Sequence, residues 1–506
     1  MAATSLATHP RPAELDDIQG IVRFGHGHMI AADFYLLRVA DRAAAREWLA
    51  NAPVTSAQTR DPPPETALQI AVTAEGLRAL GVPATVIERF SSEFVAGMSG
   101  DDARSRRLGD VDANAPSTWR WGRAGNVPHL SAMIYATPAR FKEWKNRLKD
   151  SLWARAFSVI ECLGTSDMAG REPFGFVDGI SQPALDWNRT VKTDEMALAF
   201  RNLAALGEFL LGYPNEYGRY TDRPLLDPSD DPDGLLPLAE DDAQKRDLGR
   251  NGTYLVLRDL YQDVRGFWQF IYKEAQAADY PWQQLAEAMV GRTLQGEPLV
   301  PIRERPIAGI DAGDAGKLNH FTFEADVNGL QCPFGAHIRR ANPRTADLPG
   351  GESGPISRLI QILGIGAQAP RDDLVASARF HRLLRRGREY GTYLSPEDAL
   401  RPGATDEQRG LRFIALNANI SRQFEFIQNA WLTGTKFNGL TEESDPLLGN
   451  RVAISGCRLT NAFSYSRQGG CRRRITNVPQ FVRVQGGAYF FLPALGALKY
   501  LARLPI

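Results

Sequence analysis

Strand-like and helix-like segments alternate through the first third of this 506-residue chain, and this order limits the fold more than any other feature of the sequence. Apolar and β-branched runs predict the strands, and amphipathic runs predict the helices between them. Pro138 stands where a first-turn proline opens a helix, and Gly81 stands where another helix closes. The predicted strands are 18–24, 34–39, 68–72, 129–136 and 157–163, and the predicted helices are 43–49, 74–80 and 139–148. This alternation is ferredoxin-like and predicts an α+β fold.

The same pattern returns in the second half of the chain, after a segment rich in Pro, Asp and Gly at 220–247 that predicts a surface loop. Strands are predicted at 253–257, 411–420 and 489–492, and helices at 264–275, 282–289, 423–432 and near the C-terminus. We therefore expect three parts: residues 1–200 as an N-terminal ferredoxin-like half, 201–320 as an insertion and connecting segment, and 321–506 as a C-terminal ferredoxin-like half.

Composition argues against several kinds of partner. The 59 Lys and Arg residues balance the 59 Asp and Glu residues, so no excess charge favours nucleic acid or an anionic membrane surface. The four cysteines lack the spacing of a disulfide scaffold, a zinc site or a covalent cofactor attachment. The N-terminus has no basic start with an apolar core, and no run of 18 apolar residues occurs, so we expect a cytoplasmic protein without membrane contact. Small molecules are the expected partners, and a homo-oligomer is left open.

Two short segments carry most of the chemistry. The segment from Glu172 to Pro183 places one carboxylate, Asp178, between glycines in an apolar and aromatic stretch. The segment from Cys332 to Arg344 supplies His337, one of seven histidines, followed by three arginines within seven positions. A lone histidine is usually structural, but the Pro-Phe-Gly-Ala lead lets the backbone approach a flat ligand whose carboxylates the arginines would meet. Asp178 alone is equally compatible with a turn residue or a helix N-cap.

Together the two segments resemble the dye-decolorizing (DyP-type) haem peroxidases. That family carries a G-x-x-D-G acid, here Gly175 to Gly179, and a haem-ligating histidine in an H-I-R-x-x-N-P-R run, here His337 to Arg344. Further similar stretches cover nearly the whole chain and look like the longer bacterial and fungal members. The resemblance implies tandem ferredoxin-like α+β domains with antiparallel sheets, similar to a dimeric α+β barrel. It also implies non-covalent haem b in the C-terminal half, and hydrogen peroxide as the oxidant. Bulky phenolic or dye-like donors would be oxidised by one-electron steps through a ferryl intermediate.

The same resemblance implies roles for individual residues. His337 would ligate the haem iron, and Arg344 would help to bind the haem. Asp178 would serve as acid and base toward peroxide. Arg385, in a segment similar to the family's L-R-R-G-x-x-Y-G motif, would stabilise the developing negative charge. Arg358, inside an inserted stretch, is the alternative cation.

Leu411 and Phe413 share one strand face by their two-residue spacing, and the resemblance implies that they line the distal pocket, although core packing is the simpler interpretation. The family often places an aspartate of a Q-A-D segment beside the haem-ligating histidine. The matching stretch here ends in Asn419, which is either a weaker neutral partner or purely structural. Trp431 and Tyr390 are candidate electron relays. Two other interpretations stay open: a haem-binding protein that releases iron, in the manner of a deferrochelatase, and an α+β protein without a cofactor.

Overall fold

The computed structural model of the chain describes residues 12–190, 201–304, 307, 309–310, 314–344, 378–403, 407–452, 460–467 and 471–504. No helix within these ranges combines the length and the apolar character needed to cross a lipid bilayer. The strands in these ranges are β1 (Ala31–Val39), β2 (Thr66–Val72), β3 (Leu130–Ala136), β4 (Phe157–Gly164), β5 (Ala184–Leu185), β6 (Leu203–Ala204), β7 (Leu225–Leu226), β8 (Arg246–Asp247), β9 (Thr253–Gln262), β10 (Leu384–Arg385), β11 (Arg388–Tyr390), β12 (Gly410–Asn417), β13 (Phe463–Ser466), β14 (Arg472–Ile475) and β15 (Val482–Leu492).

Nine of these strands form one antiparallel sheet, in the order β10-β12-β9-β15-β2-β3-β1-β4 with β11 also beside β12. The order β4-β1-β3-β2 is that of a ferredoxin-like unit, and β15-β9-β12-β10 repeats it with strands from the second half of the chain. The tandem α+β fold predicted from the sequence is therefore confirmed. The boundaries at residues 200 and 320 stay a prediction.

The sheet is open rather than closed. The two strand sets join edge to edge, where Phe491 of β15 pairs with Val72 of β2. The outer strands β4 and β10 end the sheet within the described residues. Within these residues no strand ladder closes the sheet into a full barrel. The arrangement is nevertheless barrel-like, because side chains of both strand sets share one apolar core and the Ser166 N–H, just after β4, donates to the Glu389 carbonyl of β11 at 2.8 Å.

Helices cover mainly one face of this sheet. They are α1 (Arg42–Asn51), α2 (Ala74–Ala79), α3 (Ala84–Ile87), α4 (Ser92–Ala96), α5 (Asp102–Leu108), α6 (Pro138–Leu148), α7 (Ser151–Ala156), α8 (Val264–Ala278), α9 (Trp282–Val290), α10 (Asp314–Lys317), α11 (His337–Ala341), α12 (Pro396–Leu400) and α13 (Leu495–Arg503). Alternate side chains of each strand enter two separate cores. On β2, Leu68 and Ile70 pack under the helices, whereas Ala67 and Ala71 pack on the opposite face.

Three predicted elements differ in the structure. The strand predicted at 18–24 is a 3₁₀ turn, Gly20–Val22, because the Gln19 side chain binds the backbone N–H and carbonyl of Ile70 in place of a strand partner. The strand predicted at 411–420 ends at Asn417. The helix predicted at 423–432 is wound as two π-helical segments, Ser421–Glu425 and Ile427–Thr433. Such turns are frequent at functional sites.

Candidate active site

A cavity of about 310 Å³ lies on the helix-covered face of the sheet, beneath the loop that carries Asp178. Alternate residues of three neighbouring strands line it, as expected for one face of a sheet. The lining includes Arg258, Leu260 and Gln262 of β9, Leu411 and Phe413 of β12, Val482 and Val484 of β15, His337, Ile338 and Ala341 of α11, and Phe424, Ile427 and Trp431 of the π-helical segments. A mostly apolar lining with a few charged groups is typical of a cofactor pocket.

Backbone hydrogen bonds fix the loop around Asp178. The Asp178 N–H donates to the Gly170 carbonyl at 3.0 Å, and the Val177 N–H donates to the Leu294 carbonyl at 3.3 Å. Gly175 and Gly179 have φ angles of 101° and 75°, in the region that favours glycine. The glycines of the G-x-x-D-G pattern thus permit the turn that presents Asp178 to the cavity.

Arg385 forms an ion pair with Asp178 inside the cavity. Its Nη1 lies 3.2 Å from Asp178 Oδ1, and its Nη2 donates to the Ser181 carbonyl at 3.2 Å. The Arg385 N–H also donates to the Gln182 side-chain oxygen at 3.0 Å, so the loop and β10 are tied together. Asp178 is 34% exposed and Arg385 38%, and both side chains line the cavity. The pair is therefore enclosed by protein yet reachable by a small molecule in the cavity.

Opposing effects set the charge of Asp178. Burial by itself raises the pKa of this carboxyl, but the Arg385 guanidinium, the Gly179 N–H and the His337 imidazole together hold its pKa below the usual value. The carboxylate is therefore ionised at neutral and weakly acid pH, as a proton acceptor must be.

His337 is the first residue of α11 and lines the same cavity. Its Nδ1 donates to Oδ2 of Asp445 at 2.9 Å. Asp445 is fully buried, and its other oxygen accepts the N–H groups of Leu447 and Leu448. Burial lowers the pKa of His337, but Asp445 outweighs this effect and raises it, while the pKa of Asp445 lies below its usual value. Asp445 thus holds the ring and its Nδ1 proton in place.

Asn419 does not contact His337. Its Oδ1 accepts the N–H of Arg422 at 2.8 Å, and its own N–H donates to the Gln423 side chain at 2.9 Å. Asn419 therefore has the structural role that the sequence left open. The charged partner of His337 is Asp445, which a comparison of short motifs could not identify because it lies 108 positions further along the chain.

Of the three arginines after His337, Arg344 alone is among the residues that line the cavity. Arg344 has a φ of 56°, donates to the carbonyls of Asn319 and Phe321 at 2.8 and 2.7 Å, and lies over the Phe321 ring. Arg339 forms a salt bridge with Asp326 at 2.8 Å. Arg340 donates to backbone carbonyls, including that of Gly434 at 3.0 Å. Both are buried and bound to protein groups, and neither lines the cavity.

The remaining candidate residues lie on both faces of the sheet, and one lies outside the described residues. Leu411 and Phe413 line the cavity, whereas Arg412 between them binds Asp259 on the other face. Trp431 also lines the cavity. Tyr390 lies under the Arg412 guanidinium, 3.6 Å from it, on the opposite face. The alternative cation, Arg358, lies outside the described residues.

Known proteins similar to this chain are peroxidases. No family model matches the chain. It is 28% identical to a dye-decolorizing peroxidase of Auricularia auricula-judae, over 98% of this chain and 87% of that protein. It is 26% identical to a multifunctional dye peroxidase of an Amycolatopsis species, over 86% of this chain and 82% of that protein. The Auricularia crystal structure superposes with a TM-score of 0.70 at 25% identity, covering 97% of this chain and 100% of that one. Over nearly its whole length the chain is therefore similar to dye-decolorizing peroxidases.

A second solved structure of this family, described as an engineered heme pocket of a dye-decolorizing peroxidase, has a TM-score of 0.71 and 26% identity to the chain, and covers 97% of it. Sequence reasoning found the two motifs by which this chain resembles that family but missed several charged groups of the cavity. These include Glu172, Asp110, Arg258, Arg292 and Arg382, together with Asp445 behind His337. Glu172 lies in the same short segment as Asp178, so its position in the sequence could have identified it.

Proposed function

We propose that this chain is a haem peroxidase that reduces hydrogen peroxide and oxidises bulky phenolic or dye-like donors by one-electron steps. One observation carries the proposal. A single cavity contains a histidine oriented by a buried carboxylate and an ionised carboxylate paired with an arginine. A ligand for iron and an acid–base group with a cation are the protein groups that peroxide chemistry on a haem requires.

The residues of the cavity fit a haem. Asp445 accepts a hydrogen bond from Nδ1 of His337. No group in the described ranges forms a hydrogen bond with Nε2, so Nε2 is available to iron. The apolar side chains of Leu411 and Phe413 would contact the macrocycle, and Arg344 would meet its carboxylates. Haem b would be held non-covalently, since no attachment motif is present. When bound, it supplies an iron that accepts the oxidising equivalents of peroxide and passes them on singly.

Asp178 and Arg385 would act on peroxide together. The ionised Asp178 accepts the proton from the inner oxygen of peroxide and then returns it to the outer oxygen, which leaves as water. Arg385 stabilises the negative charge that develops on the leaving oxygen, and its bond to Asp178 keeps both groups in place beforehand. Asp445 has a supporting role, because a hydrogen bond from Nδ1 to a carboxylate makes His337 a stronger electron donor.

The proposed donors are bulky aromatic molecules, which do not need to enter the cavity if aromatic side chains relay electrons to the surface. Trp431 is the relay that we propose first, because it lines the cavity and packs edge-on against His381 and Phe426. A cytoplasmic location, the absence of nucleic acid and membrane partners, and a possible homo-oligomer stay predictions from the sequence.

Reconstitution with haem tests the proposed function. The loaded protein should oxidise an anthraquinone dye only when peroxide is added. Asp178→Asn should retain haem but react with peroxide roughly 10² to 10⁴ times more slowly. His337→Ala should lower the haem occupancy, whereas His28→Ala, which changes an exposed histidine, should not. Full haem loading without peroxide-dependent dye oxidation would favour the iron-release alternative, and failure of the wild-type chain to take up haem would exclude both.

A further inference from the structure

Glu172 is a second carboxyl of the cavity to which the proposed mechanism gives no task. It stands six positions before Asp178 at the start of the same loop, and it lines the cavity. Its Oε2 accepts the Phe174 N–H and its Oε1 accepts the Phe176 N–H, both at 3.1 Å. The carboxylate thus organises the turn that leads to Asp178.

Gln262 ties this carboxylate to the sheet. Its Nε2 donates to Glu172 Oε2 at 2.9 Å, so the loop is joined to the end of β9. Gln262 is buried, and its Oε1 has no hydrogen-bond partner in the part of the chain that the structure describes. An acceptor without a partner is costly in a protein interior. The pair therefore has one unmet acceptor as long as Glu172 is ionised.

Protonation of Glu172 reverses this arrangement. An ionised carboxylate accepts hydrogen bonds only, whereas a carboxylic acid also has one O–H to donate. If the Gln262 amide turns over, its Oε1 accepts that O–H, while its Nε2 gives up its bond to Glu172 and moves to the position that Oε1 held. The link between the loop and β9 then exists in two hydrogen-bonded forms that differ by one proton.

The surroundings place this proton exchange in an accessible pH range. Burial raises the pKa of Glu172 to about 7, against the opposing effect of the Gln262, Phe174 and Phe176 donors, and the negative charge of Asp178 adds to the increase. His337 on α11 and Tyr393 after β11 also interact electrostatically with Glu172. The neighbouring Arg171 binds the carbonyls of Gly175 and Leu294, and Arg385 is paired with Asp178.

We propose that Glu172 is a positioning residue. Protonation of the Glu172–Gln262 pair changes the placement and the charge environment of Asp178, and in this way it controls the rate of reaction with peroxide. The inference rests on the proposed peroxidase function. In the protonated form, Glu172 adds no negative charge beside Asp178. In the ionised form, the added charge opposes the ionised state of Asp178 and weakens the field of Arg385.

The expected result is a pH step. For the haem-loaded enzyme, the rate constant with peroxide should fall roughly three- to tenfold as pH rises through about 7, the size expected of one like-charged neighbour. Glu172→Gln keeps the shape and one acceptor oxygen but cannot ionise, so its rate constant should be flat over this range. An unchanged step in Glu172→Gln would overturn the proposal.

Infrared difference spectra of the same haem-loaded proteins give a readout that does not need turnover. Titration from acid to alkaline pH should remove the C=O band of a buried protonated carboxyl with a midpoint near 7 in the parent. The band should also be lost in Asp178→Asn, with a lower midpoint because the neighbouring negative charge is gone, but it should not be lost in Glu172→Gln. Gln262→Met removes a donor that favours the ionised form, so the midpoint should move upward. The same band loss in Glu172→Gln, or an unmoved midpoint in Gln262→Met, would reject the role of Glu172 even if the chain is a peroxidase. The expected band changes in a chain without peroxidase activity would reject the proposed function and leave the proton exchange intact.

Discussion

The Asp178 carboxylate and the Arg385 guanidinium lie 3.2 Å apart in the cavity, and each depends on the other for its properties. Arg385 is the principal group that holds the pKa of Asp178 below its usual value against the effect of burial. Asp178 and the Ser181 carbonyl in turn fix the direction of the guanidinium. A change at either residue should therefore affect both the rate and its pH dependence.

Arg385→Leu should slow the reaction with peroxide by roughly 10² to 10³, the usual effect of removing one preorganised charge donor. It should also move the acid limb of the pH profile upward, because burial then raises the pKa of Asp178 without opposition from Arg385. Stopped-flow rate constants from acid to neutral pH measure both effects. Arg358→Leu is the control and should differ little from the parent. If Arg358→Leu is instead the slow variant, the two arginines exchange roles.

Asp445→Asn should retain haem but react with peroxide roughly 10 to 100 times more slowly, since supporting partners of metal ligands commonly have effects of this size. The ferric/ferrous reduction potential should become more positive, because a neutral amide makes His337 a weaker electron donor. Asn419→Ala is the matched control, as Asn419 has no contact with His337. Equal shifts in both variants would contradict the assignment of Asp445.

Residues whose signal lies within a short segment could be predicted from the sequence. Asp178 stands between glycines that its turn requires, and His337 follows a Pro-Phe-Gly-Ala lead. Asp445 could not be predicted, because its contact with His337 exists only after distant segments fold together. The same holds for the Gln262 partner of Glu172.

Strand β12 shows that the alternation of apolar and polar residues is a reliable guide where one strand face lines a cavity. Its alternation sends Leu411 and Phe413 into the cavity and Arg412 to Asp259 on the opposite face. The following helical segments show the limit of such patterns. An apolar periodicity predicts a helix at 423–432 but does not distinguish α-helical from π-helical winding, which depends on tertiary packing.

Phe491 on β15 offers an element-level test, because it is fully buried and forms the pair that joins β15 to β2. Its ring packs edge-on against Phe90, with centroids 5.0 Å apart. Phe491→Ala should lower the free energy of unfolding by about 3 to 5 kcal/mol. Val159→Ala, at an exposed position of β4, is the control and should change it by less than about 0.5 kcal/mol. Denaturant unfolding measures both, and equal effects would mean that the join contributes little.

In the whole molecule, one sheet passes without interruption from the first strand set to the second. We therefore expect the haem-loaded protein to unfold in one transition, so that haem absorbance and far-ultraviolet circular dichroism follow the same denaturation curve. Two separated curves would show that the strand sets unfold independently. The ferredoxin-like order within each set could be predicted from the alternation of strands and helices. The edge-to-edge join could not, because the pairing of Phe491 with Val72 leaves no local pattern.

The loop that carries Asp178 follows β4, the last strand of the first set, but Arg385 and His337 belong to the second set. A chain cut between β4 and β9, beyond Asp178, would leave the proton acceptor on one fragment and the iron ligand with its cation on the other. Neither fragment would react with peroxide at the rate of the intact enzyme, although the second fragment could still bind haem. Mixing the two fragments would restore activity only to the extent that they reassociate. The peroxidase rate of the mixture would therefore rise with fragment concentration and would report how much of the complex has formed.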